Sequence, residues 1–111
     1  MEAGLRQAPV ISVIMGVYNA ETFLEEAIKS ILNQSFRDFE FIIVNDASTD
    51  NSVAIINRFN DDRIRVINNE SNIGLTRSLN KAIRQAHGEF IARMDADDIS
   101  FPDRFREQVN F

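Results

Sequence analysis

The chain has 111 residues, 44% of them hydrophobic and nine of them Phe, enough apolar material for one packed core and not the composition of a disordered segment. Its formal charge is −5 and its arginines are scattered, which argues against a nucleic-acid phosphate footprint; an anionic ligand would need a cation to mediate it. There is no Cys and a single His, His87, so disulfides, thiolate metal sites, cysteine nucleophiles and His-based triads are excluded.

Residues 10–17 are a β-branched run with few charges, the pattern of a strand covered on both faces. Thr22 and Glu25 then have capping-box spacing, and Phe23, Leu24, Ala27, Ile28, Ile31 and Leu32 recur at three and four residues. This predicts an amphipathic helix ending near Ser35. Residues 39–44 predict the second strand and residues 45–50 a polar turn, with Ser48 or Thr49 capping a short helix built on Val53, Ile55, Ile56 and Phe59.

Residues 63–67 read as a third strand, amphipathic and therefore near an edge. A helix follows over residues 75–86 with Leu75, Leu79, Ala82, Ile83 and Ala86 on one face, and Gly88 is placed as its left-handed C-terminal cap. Residues 89–94 predict the fourth strand. Ser100, Pro102 and Asp103 give a further helix start, with Phe101, Phe105 and Val109 as its apolar positions.

The sum is βαβαβαβα, which specifies a parallel sheet with helices on both faces. The expected strand order is 3-2-1-4, with the first and fourth strands adjacent at the topological switch point; ligands of such sheets bind there, at the carboxyl ends of the strands. No apolar run approaches the ~18 residues of a membrane span, and the first six residues lack the apolar stretch of a signal peptide. The expected location is the cytoplasm, or its membrane face in a longer parent. Residues 1–9 read as a tail and residues 10–111 as one unit, whose last helix is barely formed at Phe111, as if the domain were cut there.

Three polar clusters fall at strand carboxyl ends. Gly16-Val17-Tyr18-Asn19 offers close backbone approach at Gly16 and a flat stacking face at Tyr18. Asn45-Asp46-Ala47-Ser48-Thr49-Asp50 offers a carboxylate able to accept a base N–H. Asp95-Ala96-Asp97-Asp98 crowds three carboxylates that repel one another unless a cation or donors relieve them. Hard oxygen ligands of that kind suit Mg²⁺ or Mn²⁺ shared with substrate phosphate oxygens. Helix capping and solvated turns are the alternative use of the same residues. A dinucleotide site would need Gly-x-Gly-x-x-Gly after the first strand, and Gly16 has no such companions.

Taken together, the stretches 11–19, 23–35, 39–50, 72–75 and 87–98 resemble the opening of family 2 glycosyltransferases with the GT-A fold, a Rossmann-like nucleotide-diphospho-sugar transferase architecture. The resemblance covers residues 10–111. It implies a sugar transferase that uses a nucleotide-diphosphate donor, a UDP-sugar, and inverts the anomeric carbon, with a saccharide or lipid-linked acceptor. Carried over by position, Tyr18 and the adjoining Val17 backbone would cradle the nucleoside, Asp46 would read a uracil-type base, Asp95 would lie near the ribose, and Asp97 would bind the metal on the diphosphate.

Arg77 lies where a cation could reach the nucleotide, while Asp98, Asp103 and Arg104 follow the family pattern with local capping and pairing as their other reading. Two positions depart from it. Ala47 stands where Gly is common, so the turn is expected to be right-handed, because a left-handed Ala costs ~1–2 kcal/mol. Gly16 stands where Pro or Thr is frequent, which would loosen that loop. No residue matches the later Asp or Glu that acts as general base, so the catalytic base is expected beyond Phe111. The fragment is expected to bind donor only, and to self-associate through the face that a missing acceptor half would cover.

Overall fold

The structure is a computed structural model that describes residues 8–109. The tail expected over residues 1–9 lies outside the described residues except for Ala8 and Pro9, and so does the chain end at Phe111. Eight elements follow in order: β1 (Ile11–Val17), α1 (Leu24–Leu32), β2 (Phe39–Asn45), α2 (Ser52–Asn57), β3 (Ile64–Asn68), α3 (Leu75–Gln85), β4 (Phe90–Asp95) and α4 (Arg104–Val109). The four strands form one parallel sheet in the order β3-β2-β1-β4.

The central strands are apolar almost throughout because both of their faces are covered. Val13, Met15 and Val17 of β1 and Phe41 and Ile43 of β2 point into the larger core, with Leu24, Ala27, Ile28 and Ile31 of α1, Ile55 and Ile56 of α2 and Phe105 of α4. Their alternates Ile14, Ile42 and Val44 meet Leu79 and Ala82 of α3 on the opposite face. The strand period of two thus sorts one run of side chains into two layers. β3, amphipathic in sequence, is one edge; β4 is the other, with Phe90 and Ile91 half-exposed. Among the described residues no helix is long and apolar enough to cross a membrane.

Several local expectations are corrected. The Thr22–Glu25 capping box does not form: α1 begins at Leu24 with no side-chain cap. The amides that precede it bond across the fold instead, Ala20 N–H to Ser52 Oγ at 2.9 Å and Glu21 N–H to Asp50 Oδ2 at 3.2 Å. Ser48 and Thr49 do not cap α2 either; the Ser52 N–H goes to Asp50 Oδ1 at 2.9 Å, while Ser48 and Thr49 bond to Asn19.

Gly88 is not the left-handed cap of α3, which ends at an extended Ala86. The left-handed glycine is Gly74, at the other end of that helix, with φ 95°. Gly88 is small for a different reason: a Cβ there would lie 2.5 Å from the Ser12 backbone nitrogen and 2.7 Å from the Ile11 carbonyl carbon. Gly16 belongs to β1 rather than to a loop, and a Cβ on it would meet Leu75 Cδ1 at 2.6 Å. Leu75, expected in the core, is half-exposed because it opens α3 at the sheet rim above Gly16; Ile83 is half-exposed on the flank of the buried Ser78–Leu79–Ala82 stripe. Phe101 is 84% exposed, since α4 starts only at Arg104; Phe105 fills the core position and Val109 packs against it, partly buried.

Candidate functional site

The sheet register brings the three polar clusters to one rim. Val17 is paired with Asn45 and Asn45 with Asn68, while Gly16 is paired with Val44 on one side and Asp95 on the other. Tyr18, Asp46 and the acidic turn after β4 therefore leave the sheet at nearly the same level. β1 and β4 are adjacent strands at the point where the strand order reverses, and ligands of such sheets bind at the carboxyl ends of the strands there.

Two loops at this rim are locked together by Asn19, which has a left-handed φ of 48°. Asn tolerates that region better than most residues. Its side-chain Oδ1 accepts the Thr49 N–H at 2.7 Å and the Asp50 N–H at 3.3 Å, and its own N–H donates to Ser48 Oγ at 3.0 Å. The Asp46 N–H closes the same junction on the Val17 carbonyl at 2.7 Å. Gly16, Val17, Tyr18, Asp46, Leu75 and Ser78 line a small cavity of about 50 Å³. A wider cleft of about 320 Å³ runs beside it, between Asn19, Ala20, Thr22 and Phe23 on one wall and Ala96 and Asp97 on the other.

Asp46 is only 3% exposed. Its Oδ1 accepts the Ile73 N–H at 2.8 Å and Asn69 Nδ2 at 3.0 Å, and its Oδ2 accepts the Gly74 N–H at 2.9 Å. Burial acts to raise its pKa, but the donors of Ile73, Asn69, Gly74 and Ser78 outweigh burial and hold the carboxyl below its ordinary value. Lys81 Nζ in turn donates to Asn69 Oδ1 at 2.7 Å, so a cation backs the buried anion through one amide. A carboxylate has about four acceptor directions. The three N–H donors take three of these, and the Ser78 hydroxyl is a further donor to the same carboxylate.

The turn after β4 is the opposite case, three exposed acids close together. Asp95, Asp97 and Asp98 each place a carboxylate oxygen within 4.8 Å of the others. The turn is closed by the Asp98 N–H on the Asp95 carbonyl at 3.0 Å and by the Asp95 N–H on Asp98 Oδ2 at 3.2 Å. Arg93 is 3.5 Å from Asp95. All-oxygen donors, converging and open to solvent, fit a hard divalent cation that keeps water or phosphate ligands.

Of the residues singled out in the sequence, Val17, Tyr18 and Asp46 share one cavity, and Asp95 and Asp97 share the acidic cluster. Arg77 is exposed on α3 and lines neither concavity. Asp103 accepts Ser35 Oγ at 2.6 Å and Arg104 Nη1 lies 3.0 Å from Met94 Sδ, so both are engaged locally. Asp98 joins the acidic cluster rather than serving as a cap alone.

The Asn19 clamp escaped the sequence reading; Asn after an exposed Tyr at a strand end was its one legible sign. Ala47 is a correction. Its φ is 59°, left-handed, because the Ser48 N–H on Asn45 Oδ1 and Asn72 Nδ2 on the Asp46 carbonyl wrap the turn around it.

A concavity of about 480 Å³, larger than either of those two, lies at the amino ends of the strands among Arg37, Phe39, Glu40, Arg63, Arg65 and His87, and touches none of the rim residues discussed above. Its charges are mostly spent internally, Arg65 on Glu40 and Arg63 on Asp61. Size alone therefore does not make it the site.

Known proteins resemble this chain in both sequence and fold. Residues 12–111 match the family described as Glycosyl transferase family 2. The putative glycosyltransferase EpsE of Bacillus subtilis is 46% identical over 110 residues, covering 96% of this chain. The chain spans about 40% of that relative's length. A crystal structure of S. aureus TarS 1-349 in complex with UDP-GlcNAc superposes with a TM-score of 0.86 at 31% identity, over 91% of this chain and 30% of that one. The mannosyltransferase PcManGT from Pyrobaculum calidifontis, in complex with GDP-Man and Mn²⁺, does so with a TM-score of 0.75 at 29% identity, over 82% and 28%. The sheet is thus that of the GT-A fold.

Proposed function

The chain belongs to glycosyl transferase family 2, and from that premise we propose that it is the donor-binding part of an inverting sugar transferase that uses a nucleotide-diphosphate sugar, a UDP-sugar by preference. The observation that carries this reading is the convergence of three acidic side chains beside a Tyr-lined cavity at the switch point. The UDP-GlcNAc bound by TarS and the Mn²⁺ bound with GDP-Man by PcManGT support it by analogy. The acceptor, a saccharide or a lipid-linked saccharide, and a cytoplasmic location belong to the same proposal.

In this mechanism Tyr18 stacks on the base and the Asp46 carboxylate, in the wall of the same cavity, reads a uracil-type base. Val17 supplies backbone beside the nucleoside, and Asp95 faces the ribose. Asp97, with Asp98 beside it, would hold Mn²⁺ or Mg²⁺. When bound, such a cation is a Lewis acid that offsets the negative charge growing on the leaving diphosphate. The chain's own charge of −5 supports such a partner, since a bare nucleotide would be repelled from the acidic turn. The base that takes the acceptor proton must reach that proton directly, and we assign it to a part of the parent enzyme outside these residues.

The test is calorimetric titration of UDP with and without Mn²⁺, on the wild-type chain and on Asp97→Ala. Binding that needs Mn²⁺ and disappears in Asp97→Ala supports the donor site. No binding under either condition would reduce the chain to a scaffold with the family's shape.

A further inference from the structure

Gln34 is 1% exposed, just past the end of α1. A buried primary amide is costly unless its hydrogen bonds are made, and Leu or Met would fill the same space without that cost. Both polar atoms of this amide are paired. Its Nε2 donates to the Ser30 carbonyl at 3.2 Å and to the Phe101 carbonyl at 2.7 Å, and its Oε1 accepts the Phe105 N–H at 3.1 Å. Two of those three partners are backbone groups of a segment about seventy residues away, the one that joins the acidic turn to α4.

Its neighbours hold the same segment. Ser30 Oγ accepts the Ser100 N–H at 3.0 Å while donating to the Ala27 carbonyl at 2.8 Å. The Ser35 N–H donates to the Pro102 carbonyl at 2.8 Å, and Ser35 Oγ to Asp103 Oδ1 at 2.6 Å. The end of α1 therefore dictates the path of the chain from Ser100 to Phe105. At the other side of the turn Asp95 is held in β4, paired with Gly16. Asp97 and Asp98 lie on the short span between these two anchors. Where their carboxylates point depends on both.

From this arrangement we infer that Gln34 is a positioning residue for the acidic cluster: by pinning residues 100–105 to α1 it sets the distal anchor that brings Asp97 and Asp98 into register with Asp95 for a divalent cation. The inference rests on the donor-site reading above. It adds that the affinity of the cation site is decided in part by an amide on a different helix that touches neither metal nor nucleotide.

The experiment uses the 111-residue chain as wild type, Gln34→Met and Ser30→Ala. Mn²⁺ affinity is measured by calorimetry in the presence of UDP, and amide hydrogen exchange is followed in parallel. Gln34→Met should keep the wild-type protection of β1 and β2, speed exchange across residues 100–105 and weaken Mn²⁺ binding by about tenfold, the scale on which groups behind metal ligands act. Ser30→Ala, which removes only the Ser100 anchor, should shift both in the same direction by less.

If residues 100–105 loosen in either variant while Mn²⁺ affinity stays at the wild-type value, the inference is wrong even though the donor site stands. If Gln34→Met loosens β1 and β2 as well, the Ser30→Ala affinity decides by the same criterion. Failure of the wild-type chain to bind Mn²⁺ with UDP sinks the donor site and this inference together.

Discussion

Asp46 accepts the backbone N–H of Gly74 at 2.9 Å, across 28 residues of chain. Through that bond the first acid of the loop after β2 sets the start of α3, because Gly74 is the residue that caps the helix and Ile73, bonded to the other oxygen at 2.8 Å, precedes it. Two amides at the helix start, which no side chain of α3 itself caps, are thus satisfied by an anion supplied from elsewhere. The same carboxylate walls the Tyr18 cavity. In the proposed donor site, structure and ligand recognition would share this one side chain.

Asp46→Asn should therefore cost stability as well as nucleotide binding. The amide NH₂ would face a backbone N–H, leaving buried donors unpaired at about 3 kcal/mol in total. Urea denaturation at neutral pH measures this directly. A midpoint equal to wild type would show that the loop does not depend on the carboxylate.

Acid should act on the same group. The pKa of Asp46 in the folded chain lies below its ordinary 3.8 and that of Glu40 below its ordinary 4.5. For Glu40, burial opposes this and the His87 and Ser12 hydrogen bonds and Arg65 outweigh it. A depressed pKa contributes stability that is fully present above the unfolded value and is lost as pH falls through the folded one. Urea midpoints taken from pH 7 down to pH 2 should drop steeply below about pH 4 in wild type. They should drop less in Asp46→Asn and in Glu40→Gln; parallel curves for all three would contradict the assignment.

Ala47 holds a φ of 59° where glycine would be relaxed. Replacing it with glycine removes a strain of ~1–2 kcal/mol, partly offset by the added freedom of the unfolded chain. The net expectation is a gain of about 1 kcal/mol, seen as a rise in Tm of about 4–8 °C for a chain of this size. A fall in Tm on Ala47→Gly would mean that the turn relaxes some other way.

Gly88 and Gly16 should respond oppositely to alanine. A Cβ at Gly88 would strike the backbone of Ile11 and Ser12, which cannot yield without moving β1. It would also press on the Gly88 N–H to Ser12 Oγ bond of 2.7 Å. Gly88→Ala should cost about 1–3 kcal/mol. At Gly16 the obstacle is the end of the half-exposed Leu75 side chain, which can swing aside. Gly16→Ala should leave the urea midpoint nearly unchanged while narrowing the Tyr18 cavity; equal destabilisation of the two variants would refute the distinction.

The sequence by itself determined the element order, the parallel sheet with its 3-2-1-4 arrangement and the placing of three polar clusters at strand carboxyl ends, because periods of two and of three to four residues are local signals that the apolar residues carry openly. It did not determine which polar group serves which. Asp50 rather than Ser48 bonds the first amide of α2, Gly74 rather than Gly88 is the left-handed glycine, and Asn19 and Gln34 owe their places to partners that only the folded chain supplies. Hydrogen bonds between residues 28 to 76 apart have no period to read. Only the sheet register and the packing of α1 and α3 on its two faces bring those groups within 3 Å of each other.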